Sequence, residues 1–304
     1  MTAPGAVRVL RGRRLRDRLA GRLLYGAAGA VGLLLALMGL GLFIKAWPVL
    51  RRVPLDELIL SDAWRPLKGQ FGFYPFIAGT VSVTLLAMVL AVPVCLLTAI
   101  YLSEYAPRRV REAFRLIMDI LAGIPSVVYG VWGLLTVVPL VRELGRLAGH
   151  DTTGYSLLAG GIVLAIMVTP VIVSVSLEVF QAVPLHAREA ALALGATRWE
   201  MVRHVLLRRS ARGVVAAVGL GFARAFGETM AVLMVVGNVA RVPDSLFAPV
   251  YPLPALIANN YGEMMSIPLY DAALMLAALI LLVVVTGFNL LSHVTLARLE
   301  KGWA

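Results

Sequence analysis

Six stretches of about twenty or more mostly apolar residues, at 23–44, 76–101, 114–141, 157–180, 213–239 and 273–291, dominate this sequence. Each is long enough to cross a bilayer as a helix. A chain that is 60% apolar and only 15% charged over 304 residues, against roughly 25% charged in ordinary globular proteins, lacks the polar surface that a water-soluble fold of this size needs. Where lipid is the solvent, every backbone N–H and C=O must find a partner within the protein, so helices or closed barrels are the available solutions. Runs of this length select helices. The expectation is an all-α, polytopic membrane protein with six transmembrane helices, organised as a basic N-terminal segment at 1–22 followed by one transmembrane domain at 23–304, with no internal repeat.

The net charge of +11 raises nucleic acid as a partner, but the placement of the charge decides otherwise. With an inside N-terminus, nineteen of the 28 Lys and Arg fall in the loops that would be cytoplasmic and eight in the opposite loops, with Arg224 inside the fifth run. This is the bias that sets membrane orientation. It places both termini in the cytoplasm and makes the bilayer, not nucleic acid, the partner of the basic residues. The arginines between Arg8 and Arg22 precede an apolar run too long for a secretory signal and ending without a small-x-small cleavage site, so the first run reads as an uncleaved helix. Cys95 stands alone and excludes an internal disulfide or a cysteine metal site.

The loop 181–212 is more than a connection. Pro184 suits the first position of a helix over Leu185 to Leu194, Gly195 suits its stop, and Thr197 with Glu200 forms a capping-box pattern that opens a second helix through Leu206. A basic amphipathic loop can lie on the membrane surface, or it can dock a cytoplasmic protein. The run Glu189, Ala190, Ala191, three residues and Gly195 resembles the EAA loop of ABC importer permeases, which fits into a groove of the ATPase subunit and passes its closure to the membrane helices. Where that family usually has leucine followed by proline, this chain has Leu207 followed by Arg208. The chain has no GxxxxGK[ST] phosphate-binding loop, so any ATP dependence is supplied by another chain. No cofactor is expected on this one.

Arg224 and Glu228 lie within the fifth run, where an ionisable group is costly and marks function by default. Four residues apart, they share one helix face and can pair. The plainer reading is a neutralised ion pair that fastens helices. The functional reading is an anion path: the guanidinium fork suits a phosphate-like oxyanion, and the carboxylate accepts a hydrogen bond from a P–OH group that sulfate does not offer. The two charges cancel, so a dianion needs further positive groups, which a second subunit can provide.

The run RAFGETMAV from Arg224 to Val232, extended through Gly237 and Asn238, and the third-run segment IPSVVYG from Ile124 to Gly130 resemble the PstC-type permeases of the phosphate-specific ABC importers. The companion PstA-type permeases usually carry alanine-proline where this chain has Met230 and Ala231. The resemblance implies the type I ABC importer permease fold and a heterodimer with a PstA-like permease. It also implies two cytoplasmic ATPase subunits and an external phosphate-binding protein. It assigns substrate passage to Arg224 and Glu228, with Thr229 beside them, and ATPase coupling to Glu189, Ala190, Ala191 and Gly195. A permease for sulfate or molybdate is the nearest alternative. A stand-alone secondary transporter would need a coupling-ion site and often an inverted repeat, and a membrane enzyme would need a clustered catalytic motif; neither is visible. Other features read as structural: Arg115 with Asp119 as an interfacial pair, Gly219, Gly221 and Gly227 as sites of close helix approach, and Pro125 as a packing kink.

Overall fold

The computed structural model describes residues 4–263 and 267–301, with side chains described for 20–263 and 267–290. Its elements, in order, are α1 (Pro4–Leu50), α2 (Leu55–Leu60), the strands β1 (Trp64–Arg65) and β2 (Gln70–Phe71), and α3 (Tyr74–Ile100), which ends in a wider π turn at Tyr101–Tyr105. Then come α4 (Arg108–Gly123), α5 (Ser126–Trp132), a π turn at Gly133–Val137, α6 (Val138–Leu147), α7 (Leu157–Gln181) and α8 (Leu185–Ala193). The chain closes with α9 (Arg198–Met201), a π turn at Val202–Leu206, α10 (Leu207–Gly227), α11 (Met230–Leu233), α12 (Leu253–Asn260) and α13 (Tyr270–Lys301).

Among the described residues, five helices are long and apolar enough to cross a membrane: Ala20–Leu50, Tyr74–Tyr105, Ser126–Leu147, Leu157–Gln181 and Tyr270–Leu290. The sixth place belongs to α10. Two spans differ from the sequence reading. The third begins at Ser126 instead of residue 114, because Ile124 and Pro125 adopt extended backbone and separate α4 from the membrane-length helix. Proline removes a backbone donor and pushes the preceding residue out of the helical region, so Pro125 divides two helices instead of bending one. Arg115, on the detached α4, donates to Gln181 Oε1 at 2.6 Å, in place of the expected pair with Asp119. The fifth span is not one helix over 213–239; it stops at Gly227.

The packing centre is α3 against α7, the most extensive pairing in the chain, with α10 laid across both. Small residues permit this. A Cβ added at Gly221 would stand 2.7 Å from Ile172 Cδ1, and one at Gly213 would collide with Val179, so α10 meets α7 at backbone distance, as the sequence suggested for Gly221; at Gly227, where it suggested the same, a Cβ would meet nothing within 4 Å. On the side opposite the basic loops, the segment after α1 folds into a cap. Trp64 sits with its ring centroid 4.8–6.0 Å from those of Phe71, Phe73, Phe76 and Tyr270, and the register Trp64↔Phe71 closes the hairpin. α12 joins this cap through Leu253 N–H donating to Thr80 Oγ1 at 2.8 Å. The two long connections at this face are therefore packed together around a second core.

Candidate substrate path and coupling loop

α9, its π turn and α10 form one helical run from Arg198 to Gly227. Leu207 and Arg208 lie inside it; without a proline at 208, nothing stops the second helix of the loop, and it becomes the fifth span directly. Arg208, Arg209 and Arg212 mark the point where the run leaves the basic face. Arg224 is twelve residues beyond Arg212, or about 18 Å at the helical rise, past the middle of a hydrocarbon layer roughly 30 Å thick.

At that depth the helix breaks. Gly227 ends α10, Glu228 has extended backbone (φ −77°, ψ 124°), and α11 starts at Met230. The Glu228 carboxylate turns forward and accepts from Ala231 N–H at 3.4 Å, satisfying one of the free donors that open a helix. The sequence-based geometry of Arg224 and Glu228 four apart on one helix face is therefore corrected. The helix does not extend to Glu228, and no ion pair joins the two among the described residues. Arg224 is exposed, while Glu228 and Thr229 are half-buried. The Thr229 hydroxyl points back to the Gly227 carbonyl at 3.5 Å.

Sequence reasoning passed over Tyr129. Its hydroxyl donates to the Leu121 carbonyl at 2.8 Å, strapping α5 to α4 across the Pro125 break. The signal was its place in the IPSVVYG run. Beyond α11 the irregular chain buries Val235 and Val236 and pairs with the start of α7. Ser156 N–H donates to the Val235 carbonyl, and Leu157 and Leu158 N–H donate to the Ala248 and Leu246 carbonyls at 2.9 Å. Non-helical backbone at membrane depth survives where protein covers it or where it lines a wet cavity, and at the break in α10 the cover is partial, with Gly227 exposed and Glu228 and Thr229 half-buried.

At the basic face, the loop 181–212 forms the expected two helices. Pro184 caps α8 from just outside, one position earlier than the sequence reading placed it. Gly195 has φ +87°, and the bonds Gly195 N–H to Leu192 and Ala196 N–H to Ala191 complete a Schellman stop that requires this left-handed residue. Thr197 and Glu200 form the capping box. The bonds from the Thr197 backbone and hydroxyl hold the Glu200 carboxyl below its ordinary range. Glu189 and Ala190 are exposed, Ala191 is half-buried, and around them Leu185, Leu194 and Trp199 expose apolar surface.

The other side of α8 carries a contact that the sequence reading counted only as an orientation charge. Arg188 Nη1 meets Glu104 Oε1 at 2.8 Å, with the two side chains 14% and 7% exposed. Its Nη2 donates to the Phe180 carbonyl. Glu104 also accepts from Ser103 Oγ at 2.7 Å, while Arg111 Nε caps the Leu102 carbonyl at 2.7 Å.

Residues 91–302 match the family described as binding-protein-dependent transport system inner membrane component. The chain is similar to the phosphate transport system permease protein PstC of Haemophilus influenzae, 36% identical over 89% of this chain and 90% of that protein. It is equally similar to its counterpart in Xylella fastidiosa, 36% identical over 95% and 94%. A probable phosphate transport system permease protein PstC from Methanocaldococcus jannaschii is 34% identical over 83% and 86%. Among solved structures, a bacterial ABC transporter involved in the import of the acidic polysaccharide alginate superposes with a TM-score of 0.63 at 15% identity, over 94% of this chain and 99% of that one. The MetNI methionine ABC transporter superposes with a TM-score of 0.56 at 19% identity, over 73% and 93%. These structural likenesses carry the fold, that of an ABC importer permease. The chain belongs to the binding-protein-dependent transport system inner membrane components and, within them, to the PstC-type permeases.

Proposed function

We propose that this chain is the permease subunit of an ATP-driven ABC importer that moves inorganic phosphate across the cytoplasmic membrane of a bacterium or archaeon by alternating access. The observation that carries this reading is the uncovered arginine beside a helix break at membrane depth. Lipid is a poor cover for a guanidinium, so a second, PstA-like permease covers it, and the path runs between the two. Broken helices at the bilayer midplane are where transporters expose backbone to their substrates. On this reading Arg224 supplies the fork for phosphate oxygens, Glu228 accepts the P–OH hydrogen, and Thr229 offers a hydroxyl at the break. The partner contributes the positive charge still needed to balance a dianion.

Energy enters from outside the chain. Two ATPase subunits dock on the exposed side of α8, with Glu189, Ala190, Ala191 and Gly195 at the contact. This chain is a transporter subunit, not an enzyme; it binds no cofactor, and ATP is used by the partners. The basic residues at the start of α1 and around α8 and α10 favour a cytoplasmic location for both termini. An external phosphate-binding protein then delivers substrate to the opposite face, where the Trp64 cap lies.

The test is uptake of labelled phosphate, with excess sulfate present, by the complete transporter in cells lacking their own high-affinity phosphate uptake. Sulfate-resistant, ATP-dependent uptake is expected. Assembly of the complex with transport of sulfate or molybdate in place of phosphate would overturn the substrate assignment and leave the permease fold standing.

A further inference from the structure

α8 has two sides, and one side chain joins it to the spans. Neighbouring residues on a helix point about 100° apart, so Glu189 faces outward while Arg188 turns in. The α8 backbone packs mainly against α9 and the π turn at Val202–Leu206. Among the described residues, its side-chain hydrogen bonds to the spans are those of Arg188, which reaches two of them at once. One nitrogen pairs with Glu104 in the π turn that ends α3, and another caps the Phe180 carbonyl at the end of α7. Those two helices form the most extensive packing in the chain.

The bond pattern at Arg188 is not that of a fastening optimised for stability. A buried ion pair generally gains little over an apolar pair of the same size, because both charges lose their water. Here the fork is also incompletely used: Arg188 Nε is buried with no hydrogen-bond partner, and a single guanidinium nitrogen meets a single carboxylate oxygen. A one-point ionic contact holds its partners together and still allows rotation about it. Arg111, by contrast, spreads three contacts over the Leu102, Ser103 and Ala106 carbonyls and fixes α4 to the same end of α3.

We propose that the Glu104–Arg188 pair is the pivot joint through which movement of the coupling loop reaches the α3–α7 frame, so that this pair sets how much ATP hydrolysis becomes transport. Arg188 and Glu104 are positioning residues; neither touches substrate. The proposal rests on the reading of 181–212 as the ATPase docking loop.

The test is a double-mutant cycle in the complete transporter. The two permeases and the ATPases are reconstituted in vesicles with the external binding protein, and labelled phosphate uptake and ATP hydrolysis are measured on the same preparation. The variants are Arg188→Met, Glu104→Met and the double substitution. Each single change is expected to lower phosphate moved per ATP roughly tenfold, the scale on which residues along a coupling route act, while hydrolysis continues. The double variant is expected to fall no further than either single, because both act through one contact. It buries no lone charge, so it carries the test if a single variant does not assemble. An assembled double variant with the wild-type ratio would overturn the joint, and so would losses that multiply to about a hundredfold. Wild-type vesicles that move sulfate instead of phosphate would overturn the substrate reading separately, with the joint then read as sulfate per ATP.

Discussion

α7 and α10 lie against each other, and they meet the membrane in opposite ways. α7 runs 25 residues without a break, and its most apolar window is 61% buried within the chain. It even absorbs Pro170 in its interior, with the hydroxyl of neighbouring Thr169 bonded to the Ala165 carbonyl at 2.8 Å. α10 has no proline and stops after 21 residues, at a glycine followed by a glutamate that caps the next helix. The contrast shows that a proline alone does not decide which of these two helices breaks. The buried helix tolerates a proline because its surroundings satisfy the backbone. The helix with the exposed arginine ends where Glu228 leaves the helical region and accepts from the next helix's Ala231 N–H.

Breaking the comparison from the α10 side gives the largest effect. Arg224→Gln should lower phosphate uptake roughly a hundredfold, the value of a hydrogen bond to a charged partner, with both permeases still assembled. On α7, Ser176→Ala should leave uptake within about twofold, since its buried hydroxyl has no partner to lose. The pair of variants is read by uptake of labelled phosphate normalised to membrane-inserted complex.

The contact between the two helices is the next target. Gly221→Val forces methyl groups against Ile172 and should cost about 1–3 kcal/mol, as overpacking does, seen as a lower Tm of the purified permease pair. Gly227→Ala should leave Tm unchanged, because a Cβ at Gly227 meets nothing within 4 Å. Equal losses at the two glycines would contradict a tight frame beside an open break.

Glu228→Gln is subtler. The carboxamide can donate where the carboxylate only accepts, so sulfate is no longer met by an obligate acceptor and the phosphate-to-sulfate uptake ratio should fall roughly tenfold. An unchanged ratio would remove Glu228 from substrate selection and leave it as the cap of α11.

The smallest effect lies in the loop below. Thr197→Ala removes half of the capping box and should speed amide exchange at Glu200 about fivefold. The Glu200 carboxyl is held below its ordinary value of 4.5, so the box is complete at neutral pH and opens as pH falls through that lowered value. In the wild type, protection at the Thr197 amide, which donates to the Glu200 carboxylate at 2.8 Å, should persist at pH 4.5 and disappear only at more acidic pH.

Much of this architecture was readable from residues alone, for local reasons. The Schellman stop at Gly195 and the capping box at Thr197 depend on contacts within a few residues, and the apolar runs of α1, α3, α7 and α13 are set by their length. What escaped depended on contacts across the chain. Periodicity treats residues 213–239 as one helix, because it does not register that Glu228 bonds forward to Ala231 or that the next segment pairs with the start of α7. The third run was placed twelve residues early because α4 is amphipathic and adjoins apolar sequence; only the extended backbone at Ile124 and Pro125 separates them. Arg188 and Glu104 are 84 positions apart, and nothing near either one announces the other. Of the candidate site, the sequence singled out Arg224, Glu228 and Thr229, and the helix break between the first and the other two changes their relative geometry.

The central claim is that the uncovered break in α10 faces a wet path used by phosphate. The direct measurement is thiol accessibility in the assembled transporter. In a Cys95→Ala background, Thr229→Cys and, on α7, Ser176→Cys are treated with a charged, membrane-impermeant thiol reagent with and without phosphate cycling. The account predicts rapid modification at Thr229→Cys, slowed by phosphate, and no modification at Ser176→Cys, which is fully buried in the wild type. Modification at residue 229 no faster than at residue 176, or unaffected by phosphate, would contradict it.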